Sequence, residues 1–484
     1  LPTERKRVDN TNMKILFVSS EATGYAKSGG LADVVTALST SLSSLGHECK
    51  VFLPFYSFIA KDGFKKVLSF QLPMLGENEK AEVWEKEENG VTFSLLSHPY
   101  FSERKGIYGD TSFTPYPDNC PRFILFSKAA ALFCLATNFQ PDIVHAHDWP
   151  CGFVAHFFHY FKAPGKTVFT IHNLEYQGVF PLLDAVVSSS VIPKGAKRNN
   201  QINMMAEAIL SFDKITTVSP TYAKEILTAQ YGAGLEDILK LREKDLSGIL
   251  NGIDDKEWNP ETDKYIPHTF SIKKMEGKTK DKLAIQKEFR LEENPDIPLI
   301  AIISRLCDQK GFDTLLLEGE ECVLERLLKK NNSQFALIGT GDSRYITVLS
   351  TLMTKYKNLS VKIVFSTELS HQLEAGADFF LMPSRYEPCG LNQMYSLRYG
   401  TLPIVHSTGG LKDTVCDIEE KNGNGFSFIS LTAENIEKTV ERAVSFYGEK
   451  KELEKVKKRA MSTDYSWNAS AKRYIELYSS LLKD

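Results

Sequence analysis

Paired cysteines are missing from this sequence. Eight cysteines stand singly along 484 residues, at Cys49, Cys120, Cys134, Cys151, Cys307, Cys322, Cys389 and Cys416. No two have the spacing of a zinc site or a dithiol redox motif, so the expected state is reduced thiols in a reducing compartment. Long apolar runs are missing as well. None reaches the ~20 residues that cross a bilayer, and no membrane partner is expected. Charge of one sign is scarce: the formal net charge is -3 and no long single-sign block exists. A nucleic-acid partner, which would call for a basic surface, is not expected. The short basic runs Arg5–Arg7 and Lys455–Arg459 read as solvated faces. The Gly-x-Gly-x-x-Gly dinucleotide fingerprint is absent, which argues against a nicotinamide-linked dehydrogenase. Short-period repeats and low-complexity segments are absent too. Residues 1–12 are polar and charged, lack the apolar core of a secretory signal, and are expected to form a tail ahead of the fold.

What is present is ordinary globular material, 42% hydrophobic and 25% charged, in a chain longer than single cores usually grow. Short β-branched and aromatic runs alternate with helical patterns. Lys14–Ser19 reads as a buried strand. Leu31, Val34, Val35, Leu38, Leu42 and Leu45 then recur near the 3.6 period, and Gly46 stops that helix. Further strands are expected at Lys50–Leu53, Ile143–His147, Thr167–Ile171 and Lys214–Val218. A polar stretch, Asp254–Lys280, interrupts the alternation. It restarts at Pro298–Ser304 and continues through Phe335–Ile338, Val361–Phe365, Phe379–Met382, Leu402–His406 and Gly425–Ile429. Such βαβ alternation predicts α/β architecture with parallel, doubly wound sheets. Two successive Rossmann-like domains are expected, at 13–250 and 251–462, with a final helix within 463–484.

In open α/β sheets ligands bind beyond the carboxyl ends of the strands, and the unusual residues cluster there. Lys27-Ser28-Gly29-Gly30 precedes the first helix. Paired glycines admit a close ligand, helix N–H groups face it, and Lys27 adds a charge suited to a phosphate or sugar oxygen. An ordinary tight turn is the alternative. His145-Ala146-His147-Asp148-Trp149 follows, with Asp148 placed to bond a sugar hydroxyl. A metal site and a helix N-cap at Asp148 are the alternatives. His172-Asn173 directly follows a strand. In the second half, Arg305 and Lys310 could converge on a diphosphate and stabilise a departing one. Pro383-Ser384-Arg385-Tyr386-Glu387-Pro388-Cys389-Gly390-Leu391 leads into a helix whose N-terminal amides suit a phosphate, leaving Glu387 for hydroxyls. Cys389 has no local base to make it a nucleophile. Gly339-Thr340-Gly341-Asp342 and Ser407-Thr408-Gly409-Gly410 repeat the strand–glycine–helix arrangement.

In this order, and together with Asn251-Gly252-Ile253-Asp254, these segments closely resemble the bacterial and plant glycogen/starch synthases over nearly the whole chain. The resemblance implies a GT-B fold, two Rossmann-like domains facing across a deep cleft, with the last helix crossing back to the first. It implies transfer of glucose, with retention, from ADP-glucose (UDP-glucose is the alternative donor) to the nonreducing end of an α-1,4-glucan such as glycogen, starch or a maltooligosaccharide. No cofactor or metal is implied. Arg305 and Lys310 would bind the diphosphate, and Lys27, Gly29 and Gly30 would sit by the phosphates and glucose. His172 would lie near the reacting carbon, with Asp148 and Asn251 lining the sugar site. Glu387 would hold glucose hydroxyls, and the Cys389-Gly390-Leu391 and Thr408-Gly409 stretches would complete the donor site. Position 395, eight after Glu387, is Tyr, not the second Glu of many other retaining GT-B enzymes, as this family has it. Rival expectations are a catalytically silent glucan-binding paralogue and another UDP-sugar GT-B transferase. The home would be a bacterial cytoplasm or a plastid stroma.

Overall fold

The computed structural model describes residues 12–73, 78–112, 114–186, 194–198 and 200–483. The expected tail, apart from Asn12, lies outside them. The described residues divide into two compact units: those up to 218, 223–250 and those from 467 on form the first, and 219–222 with 251–466 form the second.

The first unit contains β1 (Lys14–Val18), β2 (Glu48–Pro54), β3 (Lys65–Pro73), β4 (Asn78–Glu88), β5 (Val91–Ser97), β6 (Ile143–His147), β7 (Lys166–Ile171), β8 (Val179–Pro181), β9 (Lys197–Arg198), β10 (Gln201–Asn203), β11 (Lys214–Thr217) and β12 (Leu246–Gly248). The main sheet runs β12-β11-β7-β6-β1-β2-β5-β4-β3. It is parallel except where β4 joins β5 and β3 joins β4. That antiparallel extension escapes the βαβ pattern, because β3 alternates exposed and half-buried residues instead of forming an apolar run. A small sheet, β8-β10-β9, lies beside it in sequence.

Apolar helices cover the sheet. The helix Gly30–Ser44 buries Leu31, Val34, Val35, Leu38 and Leu42, the stripe its spacing predicts. Trp467, Ala471, Tyr474, Tyr478 and Leu481 recur at helical spacing on Trp467–Leu481 and join the same core. The helix Asn119–Ala136 is long and apolar enough to span a bilayer by length and composition. It is instead a core helix, with Phe126 and Phe133 stacked on Phe52.

The second unit is a six-stranded parallel sheet in the order β15-β14-β13-β16-β17-β18. Its strands are β13 (Leu299–Ile303), β14 (Gln334–Ile338), β15 (Leu359–Lys362), β16 (Phe379–Met382), β17 (Leu402–His406) and β18 (Phe426–Phe428). The strand expected at Val361–Phe365 lies earlier and stops sooner. β15 ends at Lys362, so Ile363, Val364 and Phe365 leave the sheet edge, and Phe365 is 89% exposed. The apolar run misled because an edge strand gives its last residues no second neighbour to pack on. The polar stretch 254–280 is also more than a spacer. Ile266 and Phe270, with Trp258 and Met275, pack against Ala375, Tyr399 and Met461.

Strand order locates the chemistry. In the first sheet β1 has neighbours β2 and β6, so the connections leave β1 and β6 in opposite directions. In the second sheet β13 and β16 stand in the same relation. A doubly wound sheet opens its binding crevice at such a switch point. The loops there are 19–29 and 148–152 in the first unit, and 304–310 and 383–391 in the second.

Candidate active site

In the first unit, the loop after β1 is held by a carboxylate that the motif reading did not single out. Glu21, almost fully buried, accepts from the backbone N–H of Ser28 (2.5 Å) and of Gly29 (3.2 Å), and from the hydroxyls of Ser28 (2.6 Å) and Tyr108 (2.7 Å). The sequence signal was an acid between a strand end and a glycine pair. Lys27 is exposed and pairs with Asp33 at 2.6 Å, an interaction of little energetic weight in solvent that leaves the ammonium free to turn to an anion. Gly29 has φ -158°, which any residue adopts. A Cβ on Gly29 or Gly30 would meet open space. Neither packing nor backbone therefore demands glycine at these two positions.

Asp148 follows β6 with φ 55° and ψ 176°, a region otherwise almost restricted to glycine. It makes no side-chain cap to the following turn, which removes the N-cap alternative. Its carboxylate instead accepts from the His172 backbone N–H at 2.8 Å and from that of Asn173. Burial, with a smaller push from Glu21, raises its pKa from 3.8 to about 7 against those two donors. The folded chain thus binds this proton more tightly than the unfolded chain. The stability it contributes is full below about pH 4 and is lost as pH rises through about 7. Between pH 5 and 8 the Asp148→Asn variant is expected to lose less melting temperature than the parent. A calorimetric pH series on the two proteins checks this, other titrating groups being common to both.

The histidines separate into different duties. His145 is buried between the Thr170 hydroxyl (2.6 Å) and the Tyr478 hydroxyl (2.7 Å). His147, also buried, meets His172 Nε2 through Nδ1 at 3.0 Å. Burial lowers all three pKa values, those of His145 and His172 to about 3. Among the described residues no group of three or more His, Cys, Asp or Glu is arranged to hold a metal.

In the second unit, the loops after β13 and β16 bring Lys310 and Glu387 together at 2.5 Å, with the Ser384 hydroxyl 3.1 Å from the same carboxylate oxygen. Gly311 makes this approach possible: its φ is 76°, and a Cβ there would fall 1.9 Å from the Pro383 carbonyl oxygen. Arg305 is exposed at the head of the same loop, bonded at 3.2 Å to Gln309. Asn251 is buried, and its Oδ1 has no partner among the described residues. Cys389 is buried and its thiol is pushed up to about 12 by burial, which fits a packed thiol and not a nucleophile. Gly390 takes φ 70° ahead of Leu391, which precedes the helix Asn392–Arg398. Thr408 is buried at the start of the helix Gly409–Thr414.

Gly409 has a packing duty that the sequence did not reveal. Its φ is 45°, and a Cβ would lie 1.9 Å from the Glu387 carbonyl oxygen, while one on Gly410 would lie 2.0 Å from that of Cys389. The pair lets this turn lie against the Glu387 loop, and Gly410 N–H bonds the Glu387 carbonyl at 3.1 Å. Gly409→Ala is expected to cost about 2 kcal/mol of stability or more, from left-handed backbone and displaced carbonyl together, and to weaken nucleotide binding. Chemical denaturation and calorimetric titration with a nucleoside diphosphate check the two effects. Tyr395, the position where other enzymes carry a second Glu, stacks on Trp258 at 3.7 Å, and Trp258 stacks on His371 at 3.7 Å. That site is given to packing.

Two doubly wound units with their polar side chains gathered at the switch points follow the plan of the GT-B glycosyltransferases. The family described as "Starch synthase catalytic domain" matches residues 14–241, and "Glycosyl transferases group 1" matches residues 285–462. A "Glycogen synthase" of Geotalea daltonii is 43% identical over 97% of this chain and 99% of its own length. One from Geobacillus thermodenitrificans is 41% identical over 97% and 98%. The catalytic domain of Starch Synthase IV from Arabidopsis thaliana, solved bound to ADP and acarbose, superposes with TM-score 0.86 at 30% identity, covering 98% of this chain and 100% of that one. Sucrose-phosphate synthase from Thermosynechococcus elongatus, at 17% identity and TM-score 0.63, shares the fold. The chain belongs to the glycogen/starch synthase family and is a glucosyltransferase.

Proposed function

We propose that this enzyme transfers glucose from ADP-glucose to the 4-hydroxyl at the nonreducing end of an α-1,4-glucan, with retention of configuration. The observation that carries this is the Lys310–Glu387 pair at the switch point of the second unit: a cation for the diphosphate next to a carboxylate for sugar hydroxyls. The Arabidopsis relative's bound ADP and acarbose, a nucleotide and an oligosaccharide mimic, support the same assignment.

Lys310 and Arg305 hold the diphosphate and neutralise charge as the bond from glucose C1 to the phosphate oxygen breaks. The C1 centre becomes oxocarbenium-like. The departing phosphate oxygen takes the proton of the incoming 4-hydroxyl on the same face, the new C1–O4 bond forms, and ADP leaves. Lys27 and the amides of Gly29 and Gly30 serve the phosphates and glucose, and Asp148, Asn251 and His172 line the sugar. Gly390, Leu391, Thr408 and Gly409 shape the donor site. The Asp148 carboxylate accepts two backbone N–H groups, and that of Glu387 is held by Lys310 and Ser384. Both are suited to holding hydroxyls, which favours same-face transfer over double displacement through either. No metal or cofactor is needed for these steps. The setting is a bacterial cytoplasm or a plastid stroma.

The test is a donor panel of ADP-, UDP- and GDP-glucose with glycogen and maltooligosaccharides, reading linkage and anomeric configuration of the product. ADP-glucose is expected to give the largest kcat/KM and an α-1,4 product. Preference for UDP-glucose, or no elongation of any glucan, overturns the assignment.

A further inference from the structure

The contact between His147 and His172 fixes more than position. The two rings meet Nδ1 to Nε2 at 3.0 Å, and burial keeps both neutral, so one proton lies between them. In one arrangement His147 Nδ1–H donates to His172 Nε2. His172 then carries its own proton on Nδ1, and His147 Nε2 is bare. In the other, His172 Nε2–H donates, His172 Nδ1 is bare, and His147 must carry its proton on Nε2. That atom is shut off from solvent and has no hydrogen-bond partner among the described residues. Phe17 lies stacked on the ring at 5.8 Å and His145 at 4.2 Å, and the nitrogens of His145 already face Thr170 and Tyr478. A buried N–H with no acceptor is rarer in folded proteins than a buried bare acceptor.

We infer that His147 is a positioning residue that donates from Nδ1 to His172 and thereby makes His172 an Nδ1–H donor. Partly buried His172 has no partner at Nδ1 among the described residues, so that N–H is the ring's one free polar group. It suits a sugar oxygen, hydroxyl or ring, and it cannot accept the acceptor's proton. Base duty is thereby left to the departing phosphate. The inference rests on the proposed placement of His172 at the sugar, but the tautomer can be read without turnover.

The full chain is labelled with ¹⁵N-histidine and its imidazole resonances are recorded by long-range proton–nitrogen correlation, with His172 assigned from the signals lost in His172→Ala. Protonated and bare ring nitrogens are well separated in such spectra. The expected result is His172 protonated on Nδ1 in the unaltered protein. His147→Asn, whose amide N–H replaces the Nδ1 donor, is expected to keep that tautomer and most of the turnover. His147→Asp, an acceptor only, moves the His172 proton to Nε2 and lowers kcat about tenfold or more. A His172 proton on Nε2 in the unaltered protein overturns the inference, as does equal loss of turnover in the Asn and Asp variants. If the Asp variant does not fold, the spectrum of the unaltered protein still decides. Full transfer activity in His172→Ala would remove the sugar-site assignment while leaving the tautomer result standing.

Discussion

Lys310→Ala is expected to lower kcat about 100- to 1,000-fold, the usual range for removing one preorganised charge aimed at a leaving group. It is also expected to destabilise the protein, because Lys310 and Glu387 are a 2.5 Å pair with side chains only 19% and 9% exposed. Removing the ammonium strands a nearly buried carboxylate, and breaking such a pair costs about 3–5 kcal/mol when burial is complete, less here because part of the lysine reaches solvent. The two effects separate in the double variant Lys310→Ala/Glu387→Gln. A neutral amide needs no counter-charge, so most of the lost melting temperature returns. Turnover does not, since the diphosphate still lacks its cation. Calorimetry and steady-state kinetics on the single and double variants check this. If kcat returns together with stability, Lys310 supports Glu387 and does not stabilise the leaving group.

The same pair shows where the sequence was informative. Both residues stood out because each follows an apolar strand run with a glycine close behind it, and polar residues at strand ends are where a doubly wound sheet binds. The strands themselves were plain in runs such as Leu299–Ile303, buried on both faces. Strand order was not visible, since it depends on which side of the sheet each crossover helix covers. It therefore took the structure to show that the loops after β13 and β16 are neighbours at a switch point, and those after β1 and β6 likewise. The partners of Glu21 and His147 were hidden for another reason. These two act on other residues, Glu21 on the amides of the glycine loop and His147 on a ring 25 residues later. Local sequence marks the positions of such residues, at strand ends, but not what they bond. Gly409 looked like a ligand-contact glycine because its motif duplicates that of Gly29, yet one faces open space and the other faces the Glu387 carbonyl. Only packing tells the two apart.

Asp148 offers the second large effect, because its side chain and its backbone can be tested apart. Asp148→Ala and Asp148→Gly both remove the carboxylate that accepts from His172 and Asn173 N–H, and both are expected to lose transfer activity about 100-fold or more if that group orients the sugar against its leaving group. Their stabilities should differ. At φ 55° and ψ 176° alanine keeps the backbone strain that aspartate bears, whereas glycine relieves it, a difference of about 1–3 kcal/mol in favour of Gly. Both variants lose the same two hydrogen bonds, so the comparison isolates the strain, reduced by the extra unfolded-state entropy of glycine. Urea unfolding of the two variants measures it. Equal stabilities would mean that the strain at 148 is no larger than the unfolded-state entropy that glycine adds, and retained activity in the glycine variant would mean that the carboxylate plays no part in transfer. A more stable, inactive glycine variant would show strain kept at this position for the placement of one carboxylate beside the sugar.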